Sequence, residues 1–172
     1  MANKAVRMIS NMEESAKHIM LAEAGELSET ASPLLQARYI NTCLKTAEQH
    51  NISLYKTMRK CGKDCISHNA VKIAKKLYAK SSSVEDFLQR LNEADIGGRH
   101  LHLKDGLIIG MYKKCYCSMP KKIETMHTSY CECSAGWFET LFSEVFEKEV
   151  KVAIVDTITN GAPECTFIID YA

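Results

Sequence analysis

Two cysteine pairs, Cys115-Tyr116-Cys117 and Cys131-Glu132-Cys133, stand thirteen residues apart in this chain of 172. On extended backbone, residues two apart project to the same side. The thiols of a pair are then too close in sequence to bridge each other comfortably, yet well placed to chelate one ion. Four thiolates at about 2.3 Å in a tetrahedron make a zinc site, and the same donors suit an iron–sulfur cluster, the lesser expectation. The polar loop 118–129 between the pairs has little to bury, which favours a ligand role over packing as reduced core cysteines. A closed site would be structural, tying the loop to the next helix, whereas three thiolates would leave a position for water or substrate. A reversible disulfide between the pairs is the redox alternative.

The remaining candidates carry weaker signals. Cys61 and Cys65 are four apart, and Gly62 between them reads as a break, so a buried helix–helix contact is expected ahead of metal or redox work. Cys165 falls in an alternating strand with Phe167 and Ile169 and reads first as core. Cys43 sits alone in a helix. His100 and His102 share one strand face and read as solvent-facing, and His127 is a stand-in for one thiolate. The chain shows no Ser-His-Asp order, Gly-rich phosphate loop or paired catalytic carboxylates. Cys117 with His127 or His102 is a nucleophile–base pair on paper only.

Composition narrows the class. Hydrophobic residues at 46% supply a real core, and a net charge of +1 gives no broad electrostatic reason to expect nucleic acid or an acidic membrane. Residues 1–20 are broken by Lys4, Arg7, Glu13, Glu14 and Lys17, unlike a signal peptide. No stretch approaches the roughly 20 apolar residues of a membrane span. The expectation is a cytoplasmic protein, in which eight cysteines point to metal, redox chemistry or burial ahead of a disulfide framework.

The elements that must position these residues divide at Gly97-Gly98. Val6, Ile9, Met12, Ala16, Ile19, Met20 and Ala24 follow helical spacing over 4–24. Ser32-Pro33 caps a helix to about Gln49. A third helix runs from about Ile52 to Lys60 and is interrupted by Gly62. A fourth spans about Asp64 to Tyr78, burying Val71, Ala74 and Leu77, and Ser83 with Asp86 forms a capping-box start of a fifth. Beyond Gly97-Gly98, His100 to Leu103, the type I′ signal Asp105-Gly106, and Leu107 to Tyr112 make a hairpin. Ser134 caps a helix over 135–146 with Trp137, Leu141 and Val145 on one face. Strands at 150–155 and Cys165 to Tyr171, turned by Asn160-Gly161, complete the pattern. The fold class is therefore α+β: a helical N-terminal half, then a four-stranded antiparallel sheet of two hairpins joined through a helix. Residues 1–95 form a packing or dimerising helical region, and 96–172 an α+β binding domain, together one unit.

The closing pattern carries a resemblance. Cys133-Ser134-Ala135-Gly136-Trp137, the strand end Asp156-Thr157-Ile158, and Gly161-Ala162-Pro163-Glu164-Cys165-Thr166-Phe167 resemble the vinyl-4-reductase, or hydrocarbon-binding, domain. They also resemble a sister group of 2-aminothiazoline-4-carboxylate hydrolase-like proteins, and the added cysteines are similar to a cysteine-rich bacterial branch. The resemblance covers 97–171. It implies a small-molecule-binding domain that dimerises through its N-terminal helices, with zinc beside a ligand pocket in some members. Cys165 would match the last metal-ligand cysteine, and Cys131 or Cys133 the one before the Gly-Trp helix. Of the acidic and cysteine ligands expected in the third strand only Asp156 is present, leaving Cys115 and Cys117 as replacements. The pocket would be lined by Tyr112, Trp137, Phe138, Leu141, Phe142 and Phe167. The expected function is binding of a small hydrophobic or aromatic molecule beside a thiolate zinc site. The alternatives are a hydrolase of a small heterocyclic or amide substrate, acting by cysteine or metal-bound water, and a thiol redox protein.

Overall fold

The structure, a computed structural model, describes residues 3–172. Seven α-helices precede or interrupt one sheet: α1 Lys4–Ser10, α2 Glu14–Ala24, α3 Pro33–Gln49, α4 Tyr55–Lys63, α5 His68–Tyr78, α6 Val84–Glu93 and α7 Glu132–Phe146. The strands are β1 Leu101–Lys104, β2 Leu107–Tyr112, β3 Lys151–Asp156 and β4 Cys165–Asp170, antiparallel in the order β1-β2-β4-β3. The α+β class read from sequence is the one observed: two hairpins joined through α7, meeting along β2 and β4. Among the described residues no helix is long and apolar enough to cross a membrane.

Local chemistry sets several boundaries. Ser32 Oγ accepts from the Leu35 N–H at 3.3 Å and Pro33 opens α3, so cap and proline together begin that helix. Asp105 and Gly106, with φ of 51° and 78°, fold the β1–β2 hairpin. At α6, Ser83 Oγ accepts from the Asp86 N–H at 3.2 Å, but the Asp86 carboxylate reaches back one residue further, to the Ser82 N–H at 2.9 Å.

Three expectations are corrected. The run 4–24 is two helices, because Asn11 ends α1 and its amide donates to the Asp64 carboxylate at 2.7 Å; Met8, Met12, Ala16 and Met20 still face inward across the break. Gly62 lies inside α4, where a Cβ would overlap the Cys133 carbonyl oxygen. A Cβ at Gly136 would likewise overlap the Arg59 backbone, so α4 and α7 cross with their main chains in contact. Asn160 closes a short 3-10 turn, Ile158–Asn160, and does not form a two-residue hairpin loop.

The buried side chains form two clusters. One joins α1–α4 to the loop after β2 through Met8, Ile40, Met58, Met126 and Tyr130. The other lies between the sheet and α5–α7, around Phe87, Phe138, Phe142 and Phe167. Arg59 joins the two halves: it pairs with Glu132 at 2.9 Å and with Glu139, donates to the Val152 carbonyl at 2.8 Å, and lies over the Tyr55 ring at 4.2 Å. On the outer strand β3 the register slips between Ile154 and Asp156, and Val155 is left exposed.

Candidate functional site

Cys131 ends a 3-10 turn, Thr128–Cys131, and occupies the N-cap of α7; Cys133 lies in the first helical turn. Residues two apart on a helix point about 200° away from each other at 3.6 residues per turn. The two thiols therefore face opposite ways, which corrects the extended-backbone reading. Cys115 and Cys117 lie in an irregular segment after β2. Among the described residues no three His, Cys, Asp or Glu side chains are grouped to hold a metal ion, so the expected convergence of four thiols is not formed. All eight cysteines are free.

Cys131 faces the sheet side. Its sulfur lies 3.0 Å from Thr159 Oγ1, which in turn meets Thr157 Oγ1 at 3.0 Å. Cys165, buried beside Phe167 and Ile169 as its strand alternation foretold, accepts the Ile158 N–H at 3.3 Å. Its neighbour Cys131 brings Cys165 down to about 7, while Cys131 itself is pushed up. The two cysteines singled out by resemblance are thus neighbours. Among the described residues no third His, Cys, Asp or Glu is grouped with them to hold a metal ion: the Cys131 sulfur meets the Thr159 hydroxyl, and Asp156 turns its carboxylate to the Thr157 N–H at 3.2 Å. His127 accepts from the Ser129 N–H through Nδ1 and faces Glu48 at 3.4 Å, while His100 and His102 are exposed. Cys115 donates only to the Cys117 carbonyl, at 3.5 Å.

Cys133 faces the other way, into a cavity of about 330 Å³ shared by α1, the chain after α4, Gly97-Gly98 and the start of α7. Its walls include Tyr112, Tyr116, Tyr130 and Trp137, and its polar end holds Lys4, Cys65, Cys117 and Cys133. Asn3 caps α1 by accepting from the Ala5 and Val6 N–H groups, which fixes Lys4 at the helix start. The Lys4 ammonium donates to Cys117 Sγ at 3.4 Å and lies 4.7 Å from the centre of the Tyr130 ring; the Tyr130 hydroxyl meets Cys117 Sγ at 2.8 Å. At Gly98 (φ 88°) a Cβ would strike the Tyr112 ring, so glycine is what allows backbone and ring to form one wall. Tyr116 completes that side by donating to the Gly98 carbonyl at 3.3 Å.

Cys65 is the most polarised group here. Arg7 Nη2 donates to its sulfur at 3.3 Å while Nη1 is held by the Asp64 carbonyl at 2.8 Å. The Cys133 thiol, as donor, outweighs burial in bringing Cys65 down to about 5, with Lys4 and Arg7 adding to the effect. Cys133 is correspondingly pushed well up by its neighbour Cys65 and by burial. Burial works against the charge on Lys4, but its neighbours Cys133, Tyr130, Cys117 and Cys65 together raise it well above the ordinary lysine value.

Of the six expected pocket residues, Tyr112 and Trp137 line the cavity. Phe138, Leu141, Phe142 and Phe167 are fully buried in the core between α7 and the sheet, with Phe138 5.2 Å from Phe167 between ring centres. They fill the space in which a ligand was expected. Lys4, Arg7, Cys65 and Tyr130 were missed. Only Cys65 carried a signal, its spacing from Cys61, and its partner lies 68 positions downstream.

No curated protein matches this chain. Among solved structures, an H-NOX protein from S. oneidensis in the Fe(II)NO ligation state is similar over 99% of this chain and 98% of that one, with 11% identity and a TM-score of 0.47. A protein-family profile described as "Family of unknown function (DUF6144)" matches residues 1–171. With a match over nearly its whole length, the chain belongs to the DUF6144 family.

Proposed function

We propose that this protein binds a small apolar or aromatic molecule in the cavity at the start of α7. The observation that carries the reading is the wall itself: three tyrosines and the only tryptophan of the chain face one space of about 330 Å³, with charged and thiol groups gathered at one end. Pockets that orient small ligands combine an apolar lining with a few convergent polar groups in this way. The resemblance of the closing segment to hydrocarbon-binding domains supports the same reading. A ligand seated there would stack on Trp137 and Tyr112 and turn a polar edge toward Lys4.

Trp137 makes the test direct. Titration with a small aromatic probe such as 1-naphthol should change tryptophan emission saturably, and Gly98→Leu, whose side chain would collide with the Tyr112 wall, should abolish the change. Native mass spectrometry of the same sample should show one probe molecule per chain. Emission that responds without saturation, or saturates equally in Gly98→Leu, rules the cavity out.

A further inference from the structure

We propose that Cys65 and Cys133 form a two-electron dithiol centre that reduces small aromatic disulfides admitted to the cavity. The inference rests on the binding reading above and gives that site a substrate class.

The juxtaposition comes from the α4–α7 crossing. Gly62 sits against the Cys133 carbonyl, and the Cys65 N–H bonds back to the Gly62 carbonyl at 3.0 Å, so the chain leaving α4 curls over the first turn of α7. Both thiols line the cavity. Arg7 holds the Cys65 sulfur from one side, and Lys4 places a second positive charge in the same space. The two thiols in this lining are asymmetric, Cys65 drawn down to about 5 and Cys133 pushed well up, which is the division of labour that thiol–disulfide exchange needs. Hydrolysis is less well served: the residues lining the cavity include no histidine, and their one carboxylate, Asp95, is paired with Arg99 at 2.7 Å. The second pair, Cys131 and Cys165, lies outside the cavity lining and has no such access.

The exchange balances as follows. The Cys65 thiolate attacks one sulfur of RSSR, forming a Cys65–S–S–R bond and releasing RS⁻. Cys133 gives its proton to that RS⁻, then attacks the Cys65 sulfur and expels the second RS⁻, which takes a proton from water. Two protein sulfurs are oxidised to a disulfide and the substrate is reduced to two RSH. An external dithiol returns the centre to its starting state.

The test mixes the reduced full-length chain, without oxygen, with limiting 2,2′-dithiodipyridine. Thiopyridone release is followed by absorbance, the products are mapped by mass spectrometry without reduction, and Trp137 emission with 1-naphthol is recorded on the same protein. The expected result is a fast phase releasing both thiopyridones of each reagent molecule and a Cys65–Cys133 linked peptide. In Cys133→Ser the fast phase should release one thiopyridone and leave a pyridylthio group on Cys65. In Cys65→Ser the fast phase should slow by about tenfold or more. A wild-type map without the Cys65–Cys133 link overturns the proposal, whatever the variants do. If that happens while Trp137 still reports saturable binding, the cavity stands and only the exchange fails. If the emission response is absent as well, both readings fail together.

Discussion

Gly62 and Gly136 each rest on the backbone of the other's helix, so α4 and α7 cross with no room for a side chain at either position. This contact sets a contest of signs. Alanine is favoured over glycine inside a helix by roughly 0.5–1 kcal/mol, whereas forcing one methyl into a closed contact costs about 1–3 kcal/mol. The overlap here is with backbone, which cannot rotate away, so Gly62→Ala should destabilise the fold by about 1–2 kcal/mol net. Thermal unfolding checks the sign: a raised midpoint would mean the helices are not in contact there.

Arg59 holds the same crossing electrostatically, with Glu132, Glu139 and the Val152 carbonyl as partners. Arg59→Met leaves two half-buried carboxylates without a counter-ion, and about 3 kcal/mol of stability should be lost near neutral pH. Burial already pushes Glu139 above its usual value against the pull of Arg59. Without the arginine its folded value rises further. A carboxyl with a raised folded value is least unfavourable below its unfolded value, and its destabilisation grows as pH rises through the folded one. Urea titrations should therefore find the variant closer to wild type at pH 4 than at pH 7.

For Cys65 the shift is downward, from 9 in a free thiol to about 5. The stability gained from it is complete above pH 9 and is lost as pH falls through about 5. The advantage of wild type over Cys65→Ser in chemical denaturation should accordingly shrink between those limits. Cys133→Ala removes the largest support of the thiolate, and the plateau in the rate of Cys65 alkylation by iodoacetamide, followed by peptide mapping, should move to higher pH. An unmoved plateau would assign the polarisation to Arg7 and Lys4 alone.

Gly98 tests the wall of the cavity. Gly98→Ala puts a methyl into the Tyr112 ring at a φ of 88° that side chains rarely adopt. Uptake of 1-naphthol should weaken by about tenfold, while far-UV circular dichroism stays that of the wild type. Undiminished uptake would place the ligand elsewhere.

The elements were legible where a local rule decides them. Ser32-Pro33, Asp105-Gly106 and the alternation of Cys165, Phe167 and Ile169 each specify their own backbone, and the structure follows all three. The site was legible only in its materials. The spacing of Cys131 and Cys133 suits a strand as well as a helix, and which backbone they adopt reverses where one thiol points. Gly62 read as a breaker because only the partner helix explains it. Lys4, Arg7 and Cys65 gave no sign of a shared space, since α1 and the end of α4 are brought to Cys133 by packing alone. The aromatic run from Trp137 to Phe146 foretold an apolar face correctly but not that most of it would be filled.

The slipped register at the end of β3 bears on how this protein behaves in a crowded solution. β3 is an outer strand, and an unbroken ladder of free N–H and C=O groups would invite a strand from another molecule. The irregularity between Ile154 and Asp156 interrupts that ladder beside exposed Val155, and Lys151 and Asp156 place charges along the same margin. A neighbouring chain attempting to extend the sheet would meet mismatched partners within a few residues, so the sheet ends at four strands.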